Sequence, residues 1–321
     1  MISITDIESA AARLDGVAIH TPLLESAALN ELAGGRVLLK PECLQRTGSF
    51  KIRGAYNMMS QIEDRAAGVV AFSSGNHAQG VAAAGRLLGI ETTIVMPSDA
   101  PRAKLDNTRT LGGNVVTYDR YSEDREAIAH AIAEDRGCTV VPSFDHEHII
   151  AGQGTVGLEL ADDLKAMAIS PNQLFVCCGG GGLTSGSGLA LKDRFPDAAV
   201  FTVEPEFFDD TARSLRSGSR QTVDESARSF CDAILTPSPG EITFALLQAM
   251  NAQGLVVNEK EVREAMRFAF RELKLVVEPG GAVALAAVMF RKAPTVDAVT
   301  AVVISGGNVD VDLFSDVQTS A

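Results

Sequence analysis

The sequence predicts an α/β protein whose sheets are open, mainly parallel, twisted and flanked by helices, and two observations carry that prediction. Apolar runs of strand length alternate with amphipathic stretches of helical period, a rhythm that requires crossover helices between parallel strands. Several of these runs also end in glycine-rich or small polar turns. That is where an α/β sheet binds ligands.

The first run, Val37-Leu38-Leu39-Lys40, leads into a turn and a helix start spanning Thr47 to Ala55. Val69-Val70-Ala71-Phe72 precedes the polar turn Ser73-Ser74-Gly75-Asn76-His77, and Thr92–Met96, Asn114–Tyr118 and Thr139–Pro142 continue the alternation. It resumes with Leu174–Cys178, followed at once by Gly179-Gly180-Gly181-Gly182, and then with Ala199–Glu204 and Ala298–Ser305. Asn258, with Glu259 and Glu261 just after it, is an N-cap followed by first-turn acids, and predicts a helix reaching Leu275. No linker, repeat or low-complexity tract divides the chain.

Composition excludes several function classes. The 321 residues are 46% hydrophobic but only 5% aromatic, which suits a large aliphatic core. With 28 basic against 41 acidic residues, a net charge of −13 and no basic cluster, nucleic acid is not an expected partner. No apolar stretch approaches the roughly 20 residues that span a bilayer, and the N-terminus has no basic region. The expectation is therefore no membrane partner and a cytoplasmic location. Five cysteines, an odd number without metal-ligand spacing, read as reduced core residues, and the vicinal pair Cys177-Cys178 reads as packing.

The chemistry centres on Lys51, at the helix start Ser49-Phe50-Lys51-Ile52-Arg53. The positive end of the helix and an apolar surround both disfavour the ammonium, and a neutral lysine amine attacks carbonyls. The four glycines after Cys178 let backbone N–H groups turn toward an anion, with a helix start aimed at the same point. The Ser73–His77 turn offers hydroxyls, an amide and N–H groups suited to a carboxylate or a ring hydroxyl. A glycine-rich turn also suggests a dinucleotide site and a nicotinamide-dependent oxidoreductase, with Glu204 as the ribose acid. However, no register of Gly179–Gly188 fits Gly-x-Gly-x-x-Gly, and that reading leaves Lys51 unexplained.

In order and spacing these segments resemble the fold-type II pyridoxal-phosphate enzymes, in the branch of serine/threonine dehydratases and serine racemase. The resemblance runs from Thr21-Pro22-Leu23 through Ala151-Gly152-Gln153-Gly154-Thr155 and Glu278-Pro279-Gly280-Gly281-Ala282 to Ser305-Gly306-Gly307-Asn308. It implies a two-lobed fold, with a large cofactor-binding domain of residues 1–55 and 147–321 and a small mobile domain of 56–146. It also implies pyridoxal 5'-phosphate on Lys51, its phosphate held by Gly179, Gly180, Gly181, Gly182 and Leu183. Asn76 would meet the ring hydroxyl, Phe50 would pack under the ring and Ser305 would stand opposite its nitrogen. Ser74, Asn76, His77 and Gln153 would surround the substrate carboxylate. Arg125 and Asp232 fall in order among polar residues near the substrate, and Thr236 among the hydroxyls.

The resemblance further implies an ammonia-lyase that converts L-threonine or L-serine to 2-oxobutanoate or pyruvate by β-elimination, in a homodimer. Lys51 takes the Cα proton, and a neutral hydroxyl at Ser305 keeps the ring a moderate electron sink, which favours elimination over transamination. A serine racemase, with Ser74 as the acid or base on the opposite face, is the alternative, as is a 3-hydroxyaspartate ammonia-lyase. The chain ends soon after Ser305, so isoleucine feedback through a C-terminal effector domain is not expected. In the racemase branch an acidic turn binds Mg2+ or Ca2+, and the matching residues here are Glu204, Phe208 and Asp210; helix capping is the other reading of those acids.

Overall fold

Alternation of strands and helices is realised as two sheets, in a computed structural model that describes residues 2–73, 75–100, 102–119 and 121–320. The chain begins with α1 (Ile4–Leu14), β1 (Leu24–Glu25), α2 (Ala27–Ala33), β2 (Arg36–Pro41) and α3 (Lys51–Met59). Next come β3 (Val69–Phe72), α4 (Asn76–Leu88), β4 (Thr92–Pro97), α5 (Arg102–Thr110), β5 (Gly113–Tyr118), α6 (Arg125–Arg136) and β6 (Thr139–Val140). The long α7 (Glu147–Ala166) leads to β7 (Gln173–Cys177), α8 (Gly182–Arg194), β8 (Ala199–Pro205), α9 (Asp210–Ser217), α10 (Glu241–Ala249) and β9 (Gln253–Val257). The chain closes with α11 (Glu259–Phe268), α12 (Pro279–Met289), β10 (Val299–Ile304) and α13 (Val311–Thr319).

Strands β3 to β6 form a parallel sheet in the order β5-β4-β3-β6, and the other six form β1-β2-β10-β7-β8-β9, parallel except for β1. All strands of the smaller sheet fall within 56–146, and residue 147 begins α7, whereas the division expected at 55/56 lies inside α3. The larger sheet packs on α12, every residue of which from Pro279 to Val288 is buried, as an apolar helix in a core should be. A second core joins α3 and α4 to the smaller sheet.

Helix α7 fixes both reactive segments. A Cβ on Gly152 would lie 2.5 Å from the Arg53 carbonyl oxygen, and one on Gly157 only 2.3 Å from that of Ser187. Only glycine allows α3 and α8 to pack so closely on α7, so Lys51 and Gly182, the first residues of those helices, have fixed relative positions. Side chains beneath α3 strengthen the grip: Arg53 contacts Glu42 at 2.8 Å and Glu159 at 2.6 Å, and Glu159 also pairs with buried Lys40 at 2.8 Å.

The predicted N-cap is present and forms one half of a capping box: Asn258 Oδ1 accepts from Glu261 N at 3.0 Å and Glu261 Oε2 accepts from Asn258 N at 2.9 Å. The helix stops short of Leu275. It passes into a π turn at Ala269–Leu273 and ends where Lys274 adopts a positive φ of 59°.

Candidate active site

Lys51 opens α3 and lines a cavity of about 500 Å³ between the two sheets. Its Nζ donates to the Ser143 carbonyl oxygen at 2.7 Å and lies 5.1 Å from the centre of the Phe50 ring. Burial pulls the amine down to about 8, against the opposing influence of Cys177 and Glu278. The segment before it is stitched to the end of β10. Ser49 bridges Gly306, Phe50 N donates to Ser305 O at 3.2 Å, and Asn308 Nδ2 donates to Thr47 O at 2.7 Å. Thr47, β-branched, sits at φ 65°, a strained conformation that this stitching holds.

The glycine segment forms a cradle. Gly181 is the N-cap of α8 at φ 93°, which favours glycine, and no side chain caps that helix. The Gly180 carbonyl is turned away, accepting from Thr243 Oγ1 at 2.6 Å and Gly240 N at 3.2 Å. Among the described residues no acceptor is paired with the N–H groups of Gly180, Gly181 and Gly182. Leu183 continues this wall, and Gln153 Oε1, buried without a partner, faces Gly182.

Helix α4 also starts at the cavity, with no side-chain cap among the described residues. Ser74 lies outside the described residues. Asn76 Nδ2 donates to Glu278 Oε1 at 2.6 Å and Asn76 Oδ1 accepts from Asn308 Nδ2 at 2.7 Å. The His77 Nε2 bonds the Val141 carbonyl at 2.8 Å; burial and the Lys51 charge lower it to about 3, so it is a neutral ring that donates through Nε2. Gln153 Nε2 shares the Ser143 carbonyl with Lys51, at 3.2 Å. Ser305, buried at the end of β10, hydrogen-bonds the Cys177 thiol, which burial raises to about 11.

These residues suit a phosphorylated aldehyde with a flat ring. The N–H cradle fits the phosphate, the low-basicity amine fits the aldehyde, and the orphan Gln153 Oε1 has space for a donor. Lys51, Phe50, Asn76, His77, Gln153, the four glycines, Leu183 and Ser305 all line the one cavity.

Glu204 and Asp210 lie apart, at the end of β8. Both Glu204 oxygens are taken by α9, accepting from Thr211 N at 2.8 Å and Ala212 N at 2.7 Å. Neither Asp209 nor Asp210 caps that helix from its own side chain; the strand-end glutamate does. Asp210 Oδ2 is buried without a partner. Among the described residues no cluster of three or more histidine, cysteine or acidic side chains has a metal-binding arrangement; the expected ligands Glu204, Phe208 and Asp210 comprise two such side chains and one backbone carbonyl.

Several cavity residues carried no role in the sequence reading. Ser143 offers only its carbonyl, and Lys104 reaches the cavity from α5 to pair with Asp232. Neither has a local signal in the sequence. Glu278 lay in a recognised motif, but its bond to Asn76 exists only in three dimensions. Cys177, read as packing, faces the cavity beside Ser305. Arg125 stacks on Phe72 at 5.6 Å and also lines the cavity. The five cysteines are free.

Fold and site together define an α/β protein with a buried lysine of lowered basicity beside an uncapped glycine cradle. Residues 15–306 match the family model described as pyridoxal-phosphate dependent enzyme. The chain is 44% identical over 312 residues to an L-threo-3-hydroxyaspartate ammonia-lyase of Pseudomonas sp, covering 97% of this chain and 96% of that one. It is 40% identical to a serine racemase of Schizosaccharomyces pombe, covering 97% and 95%. The solved structure of a T.th. threonine deaminase superimposes with a TM-score of 0.91 at 41% identity, covering 96% of this chain and 99% of that one. The chain therefore belongs to the fold-type II pyridoxal-phosphate-dependent enzymes. Among the described residues no helix is long and apolar enough to cross a membrane.

Proposed function

We propose that this enzyme is an ammonia-lyase that eliminates the β-hydroxyl from small 3-hydroxy amino acids, turning L-serine into pyruvate and L-threonine into 2-oxobutanoate, each with ammonium. The observation that carries the reading is that Lys51, the uncapped glycine cradle and Ser305 line one cavity. Bound there, pyridoxal phosphate supplies an aldehyde for amine capture and a conjugated ring that accepts the electron pair left when the Cα proton is removed.

The chain's own groups do the rest. The N–H groups of Gly179–Leu183 would hold the phosphate, Phe50 would support the ring and Asn76 would meet its hydroxyl. The uncapped start of α4, with Gln153, receives the substrate carboxylate. Lys51, freed as a neutral amine, takes the Cα proton and is near enough to return it. Ser305 would stand opposite the ring nitrogen with a hydroxyl, which cannot stabilise a cation as a carboxylate would and so would favour loss of the β-hydroxyl over transamination. Racemisation would need an acid or base opposite Lys51, and Ser74 is the proposed one. Incubating the purified enzyme with L- and D-serine, L- and D-threonine and both 3-hydroxyaspartate diastereomers, while measuring keto acid and enantiomer together, tests the reading. Absence of keto acid from every substrate overturns it.

The remaining expectations belong to the same proposal. Residues 56–146 form a small mobile domain, a reading supported by a sheet drawn wholly from them. A homodimer has apolar surface to use in exposed Phe270, Val276 and Val311, and a cytoplasmic location agrees with five free cysteines. Mg2+ or Ca2+ beside the phosphate loop is supported by the orphan Asp210 Oδ2, with Glu204 shared between the cation and α9.

A further inference from the structure

Among the described residues, four basic side chains besides the neutral His77 line the cavity: Lys51, Lys104, Arg125 and Arg220. Lys51 has its role, Arg220 is held by the Pro239 carbonyl and Glu241, and Arg125 lies on the Phe72 ring. Lys104 differs. It comes from α5, beside the smaller sheet, and its ammonium pairs with Asp232, in the turn Asp232–Ile234 that packs against the glycine cradle. The two side chains are unequally buried: Lys104 is 18% exposed and Asp232 is 53% exposed. The lysine is the inner member of the pair. Lys104 and Asp232 line the same cavity as Lys51 and Glu278, so the pair belongs to the wall of the reacting site.

An inner ammonium held by an outer, half-exposed carboxylate is an exchangeable anion site. Returning Asp232 to water costs little, whereas leaving Lys104 without an anion costs more. An incoming carboxylate that reaches further into the cavity can take its place. We propose that Lys104 is a specificity residue that receives a second carboxylate on the substrate, directing the lyase toward a four-carbon 3-hydroxy amino diacid, with Asp232 as the internal carboxylate it displaces. This rests on the lyase reading and names its substrate class. The covalent steps are those for serine: the Cα proton and the C3 hydroxyl leave as water, and hydrolysis of the resulting enamine gives oxaloacetate and ammonium.

The test compares kcat/KM for 3-hydroxyaspartate with that for L-threonine in the parent holoenzyme, Lys104→Gln and Lys104→Arg. The ratio should fall at least tenfold in K104Q and recover in K104R. A ratio within twofold of the parent in K104Q overturns the inference while leaving the lyase reading intact. Should K104Q prove poorly folded, calorimetric binding of succinate and butyrate to the parent and Asp232→Asn holoenzymes decides the matter. Freed of its competitor, Lys104 in D232N should bind succinate at least threefold more tightly, with butyrate unchanged. Unchanged or weaker succinate binding overturns the proposal. No keto acid from any substrate in the parent would sink the lyase reading instead, and the succinate comparison would still judge Lys104.

Discussion

The Lys51 ammonium nitrogen lies 2.7 Å from the Ser143 carbonyl oxygen, a neutral acceptor, and no carboxylate pairs with it directly among the described residues. Burial therefore prevails and brings the amine to about 8. The apoenzyme should take up pyridoxal phosphate at a rate that rises with pH to about 8 and then levels off, because only the neutral amine attacks the aldehyde. Absorbance kinetics across that range check it. Borohydride reduction and peptide mapping should put the label on Lys51, and Lys51→Ala should lose at least about 10³-fold in lyase rate. A loading rate still climbing near pH 10, the range of an ordinary lysine, would contradict the assignment.

Glu278 gives a pH signature of a different sign. Fully buried, with Asp232 nearby as the next cause, its carboxyl is raised to about 8, although Asn76 and the two lysines pull it down. A carboxyl raised from 4.5 to about 8 favours the folded state when protonated. Its contribution to stability is complete below the unfolded value and is lost as pH climbs through that window. The parent should thus lose melting temperature between pH 5 and 8 more steeply than Glu278→Gln, which has no proton to lose. Parallel melting curves for the two proteins would refute this.

Most of the fold was legible because it rests on local patterns. The runs at Val37, Val69, Thr92, Asn114 and Leu174 all became strands, and the Asn258 N-cap with its first-turn acids was readable from four residues. The site was legible as far as its anion-binding turns. Contacts across the cleft were not: nothing near Lys104 in sequence announces Asp232, 128 residues away, and nothing near Asp145 announces that it caps α10. Glu204 shows the same limit. Its local context suggests a ligand or a ribose acid, and only the fold of the turn after β8 makes it the cap of α9.

The glycine cradle makes a prediction about affinity rather than fold. Gly181 sits at φ 93°, and a Cβ there would meet Thr243 at 2.9 Å. Gly181→Ala should shift the cradle, misaim its N–H groups and weaken cofactor binding at least roughly tenfold, about 1.4 kcal/mol. Fluorescence titration of the apoenzyme measures the change, and unaltered circular dichroism would confine it to the loop. An unchanged dissociation constant would mean the phosphate sits elsewhere.

Arg53 tests the support beneath α3. Its guanidinium contacts Glu42 and Glu159, burial working against its charge and the two carboxylates sustaining it. Arg53→Met leaves Glu42, fully buried, without its cation, a loss of roughly 3–5 kcal/mol. Chemical denaturation should register that destabilisation. Because α3 carries Lys51 two residues away, cofactor retention should fall with it.

The acids after β8 decide the metal proposal. Glu204 already spends both oxygens on the start of α9, so a helix cap alone accounts for it. Asp210 is not so accounted for: one oxygen is buried without a partner, and burial raises its carboxyl to about 7. A hard divalent cation satisfies that oxygen and can also draw on the Phe208 carbonyl and water. Binding only to the folded protein, Mg2+ or Ca2+ at about a hundredfold over its dissociation constant would add roughly 2.7 kcal/mol. For a chain of this size that shifts the melting temperature by several degrees or less. Chelation should therefore lower melting temperature and lyase rate together, either cation should restore both, and Asp210→Ala should behave as the chelated parent with or without added metal. The cap reading makes the opposite forecast, since Glu204 holds Thr211 and Ala212 without any ion. Chelated, metal-free enzyme with full activity and an unshifted melting temperature would leave Glu204 as a helix cap and Asp210 as a neutral buried acid.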